Sequence, residues 1–507
     1  MSAYQYLFDY MIQEVFAVST SMNDWPLWTL LISAAWVILA ISKLKIHPFL
    51  ALMSAAILVG LLSGPLPETS AENKGLFHDR VEIADSGSKE INLTHAVKWS
   101  LLGFGNTTGG IGLLIALAAI VGTCMMQSGA AEKIVRCLLS VFGEKNAGFV
   151  LLASGFILSI PVFFDTVFFL LIPLARAMSI RLGGRYLYFV MAIAGAGAIT
   201  HSMVPPTPGP LLIAELLKID LGIAMMAGLI ASLPIAVLVL WVSGYFDRKF
   251  AFPMREVAGI NKEELTQTMN KKDEDLPSLF LSILPIILPV VLISTLSILK
   301  VTILQDADTA FQESFTKSTL FQALTFLGEP NIAMALAAIF SFFGCIKIST
   351  DKKFLEAPLI TAGSIILITG AGGAYGGMIR LSGVGEVIAE LAGNWDLSLV
   401  LIAWSLTAFI RIAQGSATVA MITGASLIGA IVGDGSSLGY HPIYLYLAIG
   451  FGSITLSWMN DSGFWLVQKL SGFSESEILK TWTVLLTLIS VTGLVICLLG
   501  SVLLPLQ

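Results

Sequence analysis

The chain has 507 residues, of which 56% are hydrophobic and 12% charged, with a net charge of −6. Soluble domains carry close to a quarter charged residues, so this composition excludes a soluble globular fold. Uncharged windows such as "LWTLLISAAWVILAIS" and "TVLLTLISVTGLVICLLGSVLL" have the length and polarity of spanning helices, which need roughly 20 apolar residues. The chain reads as an all-α polytopic membrane protein with about ten spans.

The first twenty residues lack a basic start and a long apolar run, so no cleavable leader is expected. Spans are expected near 27–43, 46–64 and 99–127. The apolar stretch 147–178 is too long for one span and is interrupted by "SIPVFFDTVFF". It reads as a re-entrant hairpin with its tip at Phe164-Asp165-Thr166. The span 186–220 is broken by "THSMVPPTPGP", where Pro205, Pro206 and Pro208 fall within four positions, and 222–243 follows it. A charged linker, 251–276, leads to spans near 279–299, 331–347 and 357–379. A second hairpin is expected at 397–431, with its tip at Gln414–Thr418 in "RIAQGSATVA". A second broken span, 441–470, is interrupted from Thr455 through Asn460-Asp461-Ser462-Gly463, and 480–503 ends the series. Non-helical backbone at membrane depth requires protein or a water-filled cavity around it.

The basic residues orient these elements. Lys43 and Lys45, the cluster from Lys133 to Arg185, the linker from Arg248 to Lys272, and Lys347, Lys352, Lys353, Lys469 and Lys480 share one face. That face takes 19 of the 28 Lys and Arg, which makes it cytoplasmic. Loops 65–98 and 300–328 and both termini then lie outside.

The chain also repeats itself. "QSGAAEKI" at 127–134 matches "LSGVGEVI" at 381–388, and "HPFLALMSAAI" at 47–57 resembles "EPNIAMALAAI" at 329–339. Thr166-Val167 aligns with Thr418-Val419, and "GAITHS" at 197–202 with "GSITLS" at 452–457. Residues 1–250 and 277–507 thus form two units of five spans and one hairpin each. An odd number of crossings inverts the second unit, the organisation of secondary transporters.

Inverted symmetry is expected to gather the two hairpin tips and the two helix breaks near the bilayer midplane. Half-helix N-termini carry partial positive charge and free N–H groups, which suit a carboxylate. Thr166, Thr200, Ser202, Ser416, Thr418, Thr455 and Asn460 are the expected hydroxyl readers, with His201, Thr207, Gln414 and Ser462 beside them. Arg411 either clamps a substrate carboxylate or pairs with an acid. Asp165 and Asp461 serve as proton-coupling groups or as helix caps, two compatible roles, because a charge at the bilayer centre costs roughly 3 kcal/mol. The glycine run "GAGGAYGG" at 370–377 follows no strand and reads as close helix packing rather than nucleotide binding. Cys124, Cys137, Cys345 and Cys497 lack metal-ligand spacing and read as core residues. No metal, organic cofactor or nucleic acid is expected.

The motifs "SGAAEKI", "PVFFDTVFFLLIPLA", "HSMVPPTPGP", "RIAQGSATVAMITGA" and "NDSGFWLV" resemble the gluconate permease family of proton symporters, within a wider superfamily of carboxylate transporters with inverted repeats. The similarity covers nearly the whole chain. It implies proton-coupled uptake of sugar acids across a bacterial inner membrane, and dimers are common in the superfamily. The chain departs from the family at Thr207, where the proline motif commonly has His, and at Asp165, where many members have Glu. The expected function is import of a small hydroxylated monocarboxylate, with H⁺ as coupling ion and Na⁺ as the rival. An intramembrane aspartyl hydrolase built on Asp165 and Asp461 is the alternative from another class.

Overall fold

A computed structural model describes residues 25–63, 66, 93–255, 276–300, 315–346, 355–383, 398–432 and 438–506. These residues are helical, with turns between helices and no strand among them. The linker beyond Arg255 and residues 384–388 of the second Ser-Gly motif lie outside the described residues.

In chain order the helices are α1 (Trp25–Ser42), α2 (Pro48–Leu62), α3 (Leu93–Gln127), α4 (Ala130–Phe142), α5 (Ala147–Leu158), α6 (Phe164–Leu182), α7 (Tyr186–Met203), α8 (Pro208–Leu216) and α9 (Leu221–Phe250). The second half continues with α10 (Leu279–Leu299), α11 (Thr319–Leu327), α12 (Pro330–Ile346), α13 (Glu356–Leu381), α14 (Leu399–Gln414) and α15 (Ala417–Val432). It ends with α16 (Ile443–Gly452), α17 (Ser462–Ser471), the short α18 (Glu475–Ile478) and α19 (Val484–Leu503). Six segments are long and apolar enough to cross a membrane by length and composition, or eight if each of two bent pairs is one span. Helices α1, α2, α14, α15 and α16 are apolar but shorter.

Three details depart from the sequence expectation. The first hairpin turns over Ser159–Phe163, so Asp165 and Thr166 sit in the first turn of α6 rather than at the tip. The expected loop 300–328 ends in a helix, α11, bent by 66° from the helix that follows. Finally, α4 is a helix where no span was expected. It carries Glu132 and Arg136 in an i,i+4 ion pair at 2.5 Å, and the chain turns by 112° into α5. Gly143, at φ +77°, makes that corner, in a backbone region that favours glycine.

The chain divides into two compact units, each drawing on both halves of the sequence. The first takes the described residues of 1–107, 370–397 and 426–437. Its helices approach closely at small residues. A Cβ on Gly103 would meet the backbone of Ala374 at 3.0 Å, and one on Gly376 would meet Ser426 at 3.0 Å. Gly373 lies against the Thr107 side chain. The buried hydroxyls of Ser33 and Tyr375 meet at 2.9 Å, and Ser426 Oγ donates to Gly372 O at 2.7 Å. The glycine run is therefore a packing surface, the arrangement that small residues permit in membrane helices.

The second unit takes the described residues of 108–369, 398–425 and 438–507. It contains the first hairpin, the turn of the second and both broken helices. Helices α5, α6 and α9 pack on α7, and α14 and α19 pack on α16. Nearly every residue of α7 and α16 is buried, so both broken helices begin in the core of this unit.

Candidate functional site

Four chain interruptions lie within the second unit, and side-chain contacts tie them together. The break after α7 runs over Val204–Thr207 with a cis Pro205–Pro206 bond. Its neighbour is the first hairpin turn: the rings of Phe163 and His201 are 6.5 Å apart. Phe163, Ile160 and Pro161 face Pro206, Thr207 and Pro208 across a small cavity of about 10 Å³. From the second hairpin, Thr418 Oγ1 lies 3.4 Å from His201 Nε2. The two broken helices touch where Tyr446 Oη of α16 donates to Met203 O, at the end of α7, at 2.7 Å.

The second hairpin turns at Gly415 and Ser416. Gly415 has φ +93°, and a Cβ there would fall on the carbonyl of Asn460. Glycine is thus required twice, for its conformation and for the close approach to the second break. Asn460 Nδ2 returns the contact, donating to Ile412 O at 2.9 Å. The two acids complete the ring: Asp165, in the first turn of α6, lies within electrostatic reach of Asp461, the N-cap of α17.

Arg411 occupies the last turn of α14 and is buried. Its Nη2 donates to Asp461 Oδ2 at 2.5 Å, with side-chain exposures of 3% and 9%. Ser457 Oγ also donates to Oδ2, and Gly463 N donates to Oδ1 at 2.9 Å. The acid that Arg411 was expected to pair with, if it paired at all, is therefore Asp461. The guanidinium is only partly used, since its Nε and Nη1 are buried without a partner. Three further groups share that condition: Gln414 Oε1, Asn460 Oδ1 and His201 Nδ1. The hydroxyl of Ser202 is also buried and unpartnered. Buried polar atoms normally find partners, so these point to a polar guest.

Other expected readers have their hydroxyls committed elsewhere. Thr200 Oγ1 donates to Ala196 O in its own helix at 3.0 Å. Thr207 Oγ1 donates to His201 O and Val204 O, both at 2.8 Å, and so caps the end of α7. Thr455 Oγ1 shares a bond of 2.6 Å with Ser490 of α19. Ser416 Oγ accepts from Val419 N at 3.3 Å. Thr166 is half-buried at the start of α6, and Ser462 is exposed at the start of α17. Ser457 was not among the expected site residues, although it ends the repeated "GSITLS". Trp482 Nε1 donates to its hydroxyl at 2.8 Å, and the Trp482 ring stacks on Phe164 with centroids 5.7 Å apart.

Buried arginine, amide and imidazole groups with unused bonding capacity suit a carboxylate bearing hydroxyls. Guanidinium donors match carboxylate geometry, and amide oxygens accept from hydroxyls.

Comparison with known proteins agrees with this chemistry. The sequence pattern of the GntP family permeases matches residues 87–503. A gluconate permease of Pseudomonas aeruginosa is 35% identical over 483 residues, covering 94% of this chain and 97% of that protein. An uncharacterized permease of Haemophilus influenzae is 34% identical over 470 residues, covering 90% and 88% respectively. Among solved structures, the YdaH transporter of Alcanivorax borkumensis superposes with a TM-score of 0.58 at 16% identity, covering 91% of this chain and all of that one. That last likeness concerns the fold alone.

Proposed function

The chain belongs to the GntP family of permeases, and from that premise we propose that it imports a small hydroxylated monocarboxylate, gluconate or a related sugar acid, by proton symport. It is a multi-pass membrane transporter rather than an enzyme, so the aspartyl hydrolase reading falls away. The observation that carries the proposal is Arg411, buried and half-satisfied between the second hairpin and the second break. The substrate carboxylate accepts from the free donors of Arg411, Nε or Nη1. Gln414, Asn460, His201 and Ser202 meet the hydroxyls. Asp165 and Asp461 are the carboxylates available beside the site for proton coupling. The gluconate permease name of the Pseudomonas relative supports the sugar-acid reading.

The proposed organisation is two inverted repeats, 1–250 and 277–507, joined by a cytoplasmic linker at 251–276. A hairpin followed by a broken helix occurs twice in chain order, as α5–α6 then α7–α8, and as α14–α15 then α16–α17, which supports this reading. The hairpins are re-entrant, the termini lie outside, and the protein resides in the inner membrane of a bacterium. A second copy of the chain as partner rests on the family resemblance.

A sodium-coupled version draws on the unpartnered acceptors Gln414 Oε1 and Asn460 Oδ1, since such oxygens also suit a hard cation. Proteoliposomes separate the two. Labelled gluconate and shorter hydroxy acids are offered with an inward pH gradient or an inward Na⁺ gradient. Accumulation driven by pH alone supports the proposal. Accumulation driven by Na⁺ alone replaces the coupling ion, and uptake indifferent to both gradients removes symport.

A further inference from the structure

The two carboxylates Asp461 and Asp165 are bonded very differently, and we propose that they have separate tasks: Asp461 is a positioning residue that holds Arg411 throughout the cycle, and Asp165 alone carries the coupled proton. This rests on the proton-symport reading above.

Both oxygens of Asp461 are occupied. Oδ2 accepts from Arg411 Nη2 and Ser457 Oγ, and Oδ1 accepts from the N–H of Gly463. The support extends one layer outward. Trp482 Nε1 donates to Ser457 Oγ at 2.8 Å, and Thr483 Oγ1 donates to Ser457 O. A proton arriving at Asp461 has to displace one of these donors. It also leaves the Arg411 charge buried and uncompensated, which is the costly way to break a buried pair. The arrangement instead anchors the guanidinium at Nη2, so that Nε and Nη1 stay free in a constant geometry.

Asp165 is the reverse case. It is exposed, and it makes no hydrogen bond or ion pair with any described residue. A proton can join or leave it without breaking a bond. Its charged surroundings are few. Helix α5 has no titratable side chain. Helix α7 brings His201 to this end and has Tyr186 and Tyr188 at its other end. The start of α17 brings Asp461 and its Arg411 partner, while Lys469 lies in that helix's last turn. Arg176 on α6 itself is eleven residues away, or about 16 Å along the helix. Glu132 and Arg136 of α4 face α6 around Leu170–Arg181, away from Asp165.

Arg411 and Asp461 neutralise each other, so the substrate anion is offset by the proton on Asp165. Loaded and empty sites then carry the same net charge, and either can cross between inward- and outward-facing states. A substrate without the proton adds one uncompensated negative charge next to Asp461, which disfavours the leak.

The test compares D165N, D461N, D461E and S457A in proteoliposomes, with gluconate counterflow giving KM and an imposed pH gradient giving accumulation. D461N is expected to raise KM at least ~30-fold while keeping the wild-type pH profile at saturating substrate, and D461E recovers part of that loss. D165N is expected to keep KM within about threefold, to flatten the pH profile and to lose accumulation. S457A removes one donor from Asp461 without changing charge. It therefore carries the positioning claim if D461N fails to fold, with KM raised about three- to tenfold and an unchanged pH profile. A flattened pH profile in D461N or S457A, unchanged KM in S457A, or normal accumulation by D165N overturns the proposal. If wild-type protein itself shows no pH-driven uptake, the proton-symport reading fails, and the proton role of Asp165 fails with it. The KM values of D461N and S457A in counterflow still judge the positioning role.

Discussion

Replacing Arg411 with Gln removes the two donors, Nε and Nη1, that face no protein acceptor. Hydrogen bonds from a charged group are each worth about 1.5–3 kcal/mol, so up to about 3–6 kcal/mol of substrate affinity is at stake. At about 1.4 kcal/mol per factor of ten, this weakens gluconate binding on the order of a hundred- to ten-thousandfold. The substitution also strands Asp461, whose side chain is 9% exposed. Removing one partner of a buried ion pair destabilises a fold by about 3–5 kcal/mol. The informative variant is therefore R411Q/D461N, which deletes both charges. It is expected to melt closer to wild type than R411Q does, yet to bind no better. R411K keeps the charge but loses the planar fork, and binding weaker by about ten- to thirtyfold is expected. Equilibrium binding of labelled gluconate to purified protein reads the affinity, and thermal melting reads the fold. A well-folded R411Q/D461N protein with wild-type affinity refutes the assignment of Arg411 to the carboxylate.

Five further outcomes follow from the contacts of individual side chains and glycines. Thr200→Val is expected to change the transport KM by less than about twofold, because that hydroxyl is bonded to Ala196 O. Thr455→Val costs about 1 kcal/mol of stability by breaking its bond to Ser490, again with little change in KM. Ser202→Ala and His201→Ala, which remove unpartnered polar groups, are expected to raise KM by several-fold, and wild-type values would remove them from the site. Gly415→Ala adds a left-handed strain of roughly 1–2 kcal/mol and a clash with the Asn460 carbonyl, so both melting temperature and transport rate fall. Gly376→Leu, in the first unit, cannot fit against Ser426, and a loss of folded yield in detergent is expected, while Gly363→Leu, in the second unit and beside open space, is tolerated.

The interruptions were readable from sequence because prolines, single charges and hydroxyl clusters are out of place in spanning helices. "VPPTPGP", "SIPVFFDT", "RIAQGSAT" and "WMNDSG" mark four breaks that the structure places in one unit. The glycine run was readable as packing for a related reason, since small residues let helix backbones approach. Helix α4 was not readable as an element of its own. It has 13 residues with Glu132, Lys133 and Arg136 among them, too short and too charged for a span and too helical for a loop. Nor were hydrogen-bond partners readable. Ser202 and Thr200 are equally good hydroxyls by residue type, yet one is unpartnered and the other bonds its own helix. Thr207, a departure from the family pattern, turns its hydroxyl to two backbone carbonyls. The Arg411–Asp461 pair joins residues 50 apart in sequence, and only packing of the second hairpin against the second break creates it.

The most direct measurement is of proton movement itself. Proteoliposomes loaded with a pH-sensitive dye, in Na⁺-free buffer and with the membrane potential clamped, receive an inward gradient of gluconate and no pH gradient. Acidification of the lumen that depends on gluconate and is absent in D165N is the predicted result. Gluconate entry with a constant internal pH contradicts the account.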